Sequence, residues 1–164
     1  MHTVIGIAPG IVHTGVVIYE IYPLDLAISI SYGVYEGVAA DYIVNSLNAS
    51  PKVDLSTVFI EGYRPRSHFS TDARMVAAVS ELRKALPGSK VLDNTGVKKI
   101  VTPALIRLLQ SDRWSISTHH DDLTSAARIA VLGMMKDPEL NMVLADFVRD
   151  SIHNSPWAIS KGLI

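Results

Sequence analysis

The 164-residue chain contains no cysteine, which excludes disulfides and thiolate-bound zinc and makes an intracellular protein the default expectation. It also lacks any apolar run long enough to span a bilayer, so no membrane partner is expected. The stretch from Met1 to Tyr19 is interrupted by Pro9 and by glycines and has no basic n-region, so it does not read as a leader. There is no internal repeat, no low-complexity tract and no linker, which excludes a solenoid or a string of modules. One domain over residues 1–151 with a tail over 152–164 is the expectation. Excess charge of one sign is missing too: the formal net charge is −1, which argues against binding a polyanion by bulk positive charge.

The charge is nonetheless unevenly placed. From Glu61 to Arg113 ten Lys/Arg stand against five Asp/Glu, a local net of +5, and the rest of the chain carries −6. A basic middle in an acidic chain suits one face that meets a polyanion, although the same charges could point in different directions on solvated helices.

The chain is organised around Val4 to Tyr19. Two β-rich runs, Val4-Ile5-Gly6-Ile7 and Val16-Val17-Ile18-Tyr19, flank the Pro9-Gly10 turn and Gly15, which reads as a hairpin. Taken on spacing alone, this is an ordinary first hairpin of a mixed sheet. Leu26 to Val34 alternates with period two and predicts a third strand and an antiparallel meander. Val38, Tyr42, Ile43 and Leu47 predict an amphipathic helix. Thr57 to Ile60 is a short apolar run closed by Glu61 and Gly62, a buried strand with a carboxylate at its C-terminal edge, where ligand sites of open α/β sheets lie.

Ser70 or Thr71 can cap a helix running to Leu86, and Val91-Leu92 makes another short strand. Gly96 to Gln110 is helical with a break at Thr102-Pro103. His119-His120-Asp121-Asp122 opens an Ala-rich apolar helix over Leu123–Met135, and the run can equally be a plain N-terminal cap or a chance nickel or zinc site. Glu139 to Ser151 forms a last helix, and Trp157 is a possible anchor for the tail.

Ile5-Gly6-Ile7, Pro9-Gly10 and Thr14-Gly15 resemble the opening of the RuvC-like Holliday-junction resolvases of the ribonuclease H-like superfamily, whose first strand reads I-G-I-D-P-G followed by T-G. The resemblance extends from Val4 to about Met135. It implies an α/β fold: a mixed five-stranded sheet, three antiparallel strands and then parallel ones, flanked by helices. It implies a structure-selective DNA endonuclease that resolves four-way junctions, a crossover junction endodeoxyribonuclease acting in DNA recombination and repair. The expected cofactor is a pair of Mg²⁺ or Mn²⁺ ions, the expected partners are branched DNA and a second copy in a homodimer, and the expected place is the cytoplasm of a bacterial or phage-infected cell.

Hydrolysis by two metals needs carboxylates from separate elements converging on ions about 3.5–4 Å apart. Three places fit that demand: position 8, Glu61, and Asp121/Asp122. The resemblance puts Glu61 in the role of the strand-four glutamate and Asp122 among the helix ligands, with Asp121, His119 and His120 as further candidates for metal. The family pattern H/D-x-x-D-A fits in two ways. Matching Ala126 to its alanine makes Asp122 the first ligand and replaces the second with Ser125; a shift of three pairs His119 with Asp122 and puts Leu123 in the alanine's place.

Where the family has its first aspartate this chain has Ala8, and a methyl cannot bind a cation. The intact Gly6, Pro9 and Gly10 around it favour an engineered inactivation of an otherwise complete site, from which Ala8→Asp alone should restore cleavage. The alternative is a naturally non-catalytic branched-DNA-binding protein of the same fold. For DNA contact the loop Tyr63-Arg64-Pro65-Arg66-Ser67-His68-Phe69 offers arginines for phosphates and aromatics for bases, and Lys98 and Lys99 resemble basic residues ahead of the last core helix. A third class, actin-like or sugar-kinase-like ATPases, shares the glycine-rich hairpin but needs two such domains to enclose a nucleotide.

Overall fold

The computed structural model describes residues 1–38, 40–49, 54, 57–64, 70–109, 114 and 116–153. Strands β1 (His2–Ala8), β2 (His13–Tyr22) and β3 (Ala27–Glu36) form the expected antiparallel meander, with Ala8 opposite Gly15 and His13 opposite Glu36. β4 (Val58–Gly62) lies parallel to β1, pairing Val58 with Ile5 and Ile60 with Ile7, and β5 (Lys90–Asp93) lies parallel to β4. The order across the sheet is β3-β2-β1-β4-β5, so β1 is central.

Period-two alternation sends the side chains of β1 into two cores. Ile5 and Ile7 join Val58, Ile60, Leu82 and Leu86 on the face covered by α1 (Ala40–Asn48) and α2 (Ser70–Ala85). Val4 and Ala8 join Phe59, Leu123 and Ala126 on the face covered by α5 (His120–Lys136). A strand buried on both faces has no polar side to show, which is why Val4 to Ile7 reads as an unbroken apolar run. Short helices α3 (Val97–Ile100) and α4 (Pro103–Leu108) and the final α6 (Pro138–His153) complete that second layer. Among the described residues no helix is long and apolar enough to cross a membrane.

Helix α5 lies close against the sheet because small residues let it. A β-carbon on Gly6 would run into the backbone carbonyl of Ala126, and one on Gly15 would come within 2.6 Å of the Asp122 carbonyl oxygen. Trp114 ties the helix down further, its indole N–H donating to the Thr124 hydroxyl at 3.1 Å. The break between α3 and α4 has the expected cause: the Thr102 hydroxyl accepts the Leu105 N–H at 3.3 Å, and Pro103 occupies the first turn.

Three side chains depart from the sequence reading. Tyr42, placed on the apolar stripe of α1, is 73% exposed, because the buried stripe is Ala40, Ile43 and Leu47. Val38 precedes that helix. Leu26 sits outside β3, in the turn, at a positive φ of 46°. The caps expected from the Ser70 and Thr71 side chains lie outside the described residues, as do residues 65–69 and 154–164, including Trp157.

Candidate functional site

Because β1 and β4 run parallel, their C-terminal ends emerge side by side. One residue beyond the Ile7–Ile60 pair the chain has Ala8 on β1 and Glu61 on β4, both on the face where α5 begins. Ala8 is 4% exposed and packs in the core with Leu123 and Ala126. Glu61 opens instead onto a cleft of about 520 Å³ lined by Asn94, Lys98, Lys99, Ser125 and Arg128.

The cleft is more cationic than its glutamate suggests. Burial pushes the Glu61 carboxyl above its ordinary value of 4.5, and the negative Asp122 pushes the same way. A hydrogen bond from Asn94 Nδ2 to Glu61 Oε1 at 2.9 Å and the charges of Arg128 and Lys98 oppose that shift. The Arg128 Nε is buried and has no hydrogen-bond partner among the described residues. Asn94 and Arg128 both escaped the sequence reading: Arg128 interrupts an Ala-rich helix, and that lone charge in an apolar run was the available signal.

The turn before β2 is held by Thr14, whose buried hydroxyl donates to the Gly37 carbonyl at 2.6 Å and accepts the Gly10 N–H at 3.3 Å. This lock positions His13 against the start of α5. The His13 and His119 rings lie 4.3 Å apart at 51°, and His119 Nδ1 is 3.7 Å from Asp122 Oδ2. One ligand atom from each of His13, His119 and Asp122 lies within 4.8 Å of the others. His13 had no motif to mark it; only the hairpin register brings it here.

The other two members of the His-His-Asp-Asp run point elsewhere. His120 Nε2 and Asp121 Oδ1 face each other at 3.3 Å, with the Asp121 side chain 94% exposed, and neither lines the cleft.

Among solved structures, Thermus thermophilus RuvC in complex with Holliday junction substrate is similar with a TM-score of 0.60, covering 89% of this chain and 96% of that one at 14% identity. The chain has the ribonuclease H-like fold of RuvC. A second Thermus thermophilus RuvC structure matches 88% of this chain and 96% of its own at 16% identity, with a TM-score of 0.43. No family model and no curated protein matches the chain.

On this RuvC-like frame the expected DNA-contacting residues fall in two places. Lys98 and Lys99 are exposed on α3 beside the Glu61 cleft. Tyr63 and Arg64 follow β4 and line a smaller cavity of about 280 Å³ with Val76, Val79, Val91 and Asp93. The exposed Arg64 guanidinium is ion-paired with Asp93. Hydrogen bonds from Thr95 hold the Asp93 carboxyl below its usual range, with a smaller contribution from Arg64. Arg66, His68 and Phe69 lie outside the described residues.

Proposed function

We propose that this chain binds branched DNA, four-way junctions first, at the sheet edge formed by β1, β4 and the start of α5, and that it does so without two-metal hydrolysis at Glu61. The observation that carries this reading is the cleft itself. Where two hard cations would need several converging carboxylates, Glu61 has one other carboxylate acting on it, Asp122, and is otherwise met by Ser125, Arg128, Lys98 and a buried Ala8. That donor set does not fit a pair of Mg²⁺ or Mn²⁺ ions. It suits the phosphate backbone, which is neutralised by Lys and Arg with release of counterions.

Ser125 shares the cleft with Glu61, while Leu123 and Ala126 are both buried, so the cleft position alone separates the two matches. This favours the match in which Asp122 and Ser125 stand at the two helix positions of the family pattern. Two ligand positions are then without a carboxylate, Ala8 and Ser125, and a single engineered change at position 8 no longer accounts for the site. The non-catalytic reading gains accordingly. The RuvC-like fold supports the choice of DNA, since Thermus thermophilus RuvC is solved with a Holliday junction.

A four-way junction has twofold symmetry, so we infer a homodimer as well. The outer face of α2 offers Val76, 43% exposed, with Ala73 and Ala77 exposed beside it. The one-domain arrangement over residues 1–151 belongs to the same reading; α6 runs on to His153, and residues 154–164 lie outside the described residues.

An electrophoretic shift on labelled four-way and linear DNA, in EDTA and in Mg²⁺, tests the proposal. The expected result is a preference for the junction in EDTA and no cutting in Mg²⁺. Equal affinity for both DNAs overturns the junction reading. Symmetric nicking that Glu61→Gln abolishes overturns the non-catalytic one.

A further inference from the structure

We infer that the outer edge of β3 is a docking site for an extended, basic segment of another protein, which joins the sheet as an added strand whether or not the chain binds DNA. β3 ends the sheet in the order β3-β2-β1-β4-β5, so among the described residues no strand pairs with its outer edge. The register fixes which groups that edge presents. The Gly37 N–H donates to the Val12 carbonyl at 2.6 Å, one step beyond the His13–Glu36 pair. Hydrogen-bonded and non-hydrogen-bonded pairs alternate along an antiparallel ladder, so residues 27, 29, 31, 33 and 35 turn their backbone groups toward β2. Ile28, Ile30, Tyr32 and Val34 turn theirs outward.

Long edge strands are commonly blunted by charge, by proline or by a bulge. β3 has none of these: Ala27 to Tyr35 contains no charged residue and no proline, and the pairing with β2 runs without a break in register. The two faces say what would lie beside it. Ile28, Ile30 and Val34 pack against the core, and the 46% exposed Tyr32 stands edge-on to Trp114 with ring centroids 5.2 Å apart. Ala27, Ser29 and Ser31 are exposed on the other face. An added strand would match this with apolar side chains on one face and small polar ones on the other.

Charge selects the occupant. Residues 1–51 contain Glu20, Asp25, Glu36 and Asp41 and no Lys or Arg. Asp25 is exposed in the turn before β3, Glu36 is exposed at its last residue, and Glu20 pairs with Ser29 one strand in. A second copy would set the same carboxylates against these, which disfavours self-pairing. A segment flanked by Lys or Arg meets opposite charge at both ends of the edge.

The probe is a synthetic peptide of alternating Val and Thr with two Lys at each end, added to the full chain and followed by fluorescence anisotropy and NMR hydrogen exchange. Saturable binding is expected. The Ile30, Tyr32 and Val34 amides should exchange fast in the free chain and slow at least about tenfold with peptide, while Ser29 and Ser31 are slow throughout. Exchanging the Lys of the peptide for Glu should weaken binding at least about tenfold, and Asp25→Lys with Glu36→Lys should reverse that preference. N-methylation of one alternate set of peptide nitrogens should abolish binding, and of the other set leave it within about threefold, because only one set faces β3. These peptide comparisons need no change in the chain and decide the matter if the double variant fails to fold. No saturable binding overturns the inference, as does binding that distinguishes neither methylated set. Outward amides already slow in the free chain would mean that the chain covers its own edge. Peptide that splits a dimer in light scattering would give the edge to a second copy. Either result overturns it too.

Discussion

Asn94 donates its side-chain N–H to Glu61 Oε1 at 2.9 Å, linking the ends of β5 and β4 across the floor of the cationic cleft. The bond favours the charged carboxylate, yet burial outweighs it and the Glu61 carboxyl titrates above 4.5. A carboxyl raised in the folded state stabilises the fold most below its unfolded value, and that stabilisation is lost as pH rises through the folded one. The native chain should therefore lose stability relative to Glu61→Gln as pH climbs from about 4.5 toward neutrality. Asn94→Ala should widen the gap. Thermal melts of the three proteins across that range check this, and parallel curves would show that Glu61 is solvated.

Gly6→Ala should be severely destabilising, by about 3 kcal/mol or more, because its β-carbon meets the Ala126 carbonyl rather than a side chain that could turn away. Urea denaturation measures this. A destabilisation under about 1 kcal/mol would mean that α5 does not rest directly on β1.

That close approach also explains what the sequence could and could not disclose. The I-G-I and T-G pieces were legible because they serve the backbone: Gly6 and Gly15 clear a path for α5, and Thr14 locks the turn. The order of strands followed from local periodicity, as did the Thr102-Pro103 break. Tyr42 was misplaced because a helix of nine residues carries its core on Ala40, Ile43 and Leu47, and a small Ala gives little periodic signal. Arg128 carried the signal of a lone charge in an apolar helix, whereas His13 and Asn94 were illegible for another reason. Each joins the site through pairing between distant segments, and no local pattern encodes where such a side chain ends up.

Lys98→Ala with Lys99→Ala should weaken junction binding at every salt concentration. It should also flatten the plot of log affinity against log salt by about 0.9 for each phosphate no longer neutralised. Arg64→Ala should act the same way on binding while moving stability by less than about 0.5 kcal/mol, since its pair with Asp93 is exposed. Fluorescence anisotropy at several salt concentrations measures the slopes, and unchanged slopes would place the DNA on another face.

Val76→Glu should convert a dimer to a monomer without unfolding it, because the side chain is 43% exposed on the outer face of α2. Light scattering at micromolar concentration reports the mass. A native chain that is monomeric with and without DNA would remove the twofold from the proposal.

The last prediction concerns what separates this cleft from a hydrolytic one. From sequence alone, Ala8→Asp is enough to restore cleavage. The geometry changes that expectation, because Ser125 shares the Glu61 cleft and Arg128 brings its charge there. An aspartate at position 8 would stand beside Glu61 at the strand ends, but Ser125 would still supply only a neutral oxygen toward a second ion. Ala8→Asp combined with Ser125→Asp provides both missing carboxylates and outweighs the Arg128 charge. On a labelled four-way junction with Mg²⁺ or Mn²⁺, we expect no cutting by the native chain and at most a trace by Ala8→Asp. Symmetric nicking should come from the double variant, and adding Glu61→Gln should abolish it. Equal cutting by the single and double variants would show that position 125 is not a ligand position. Junction binding without cutting by every variant would mean that restoring carboxylates is insufficient and that the cations of this cleft, Arg128 first among them, keep it a binding site.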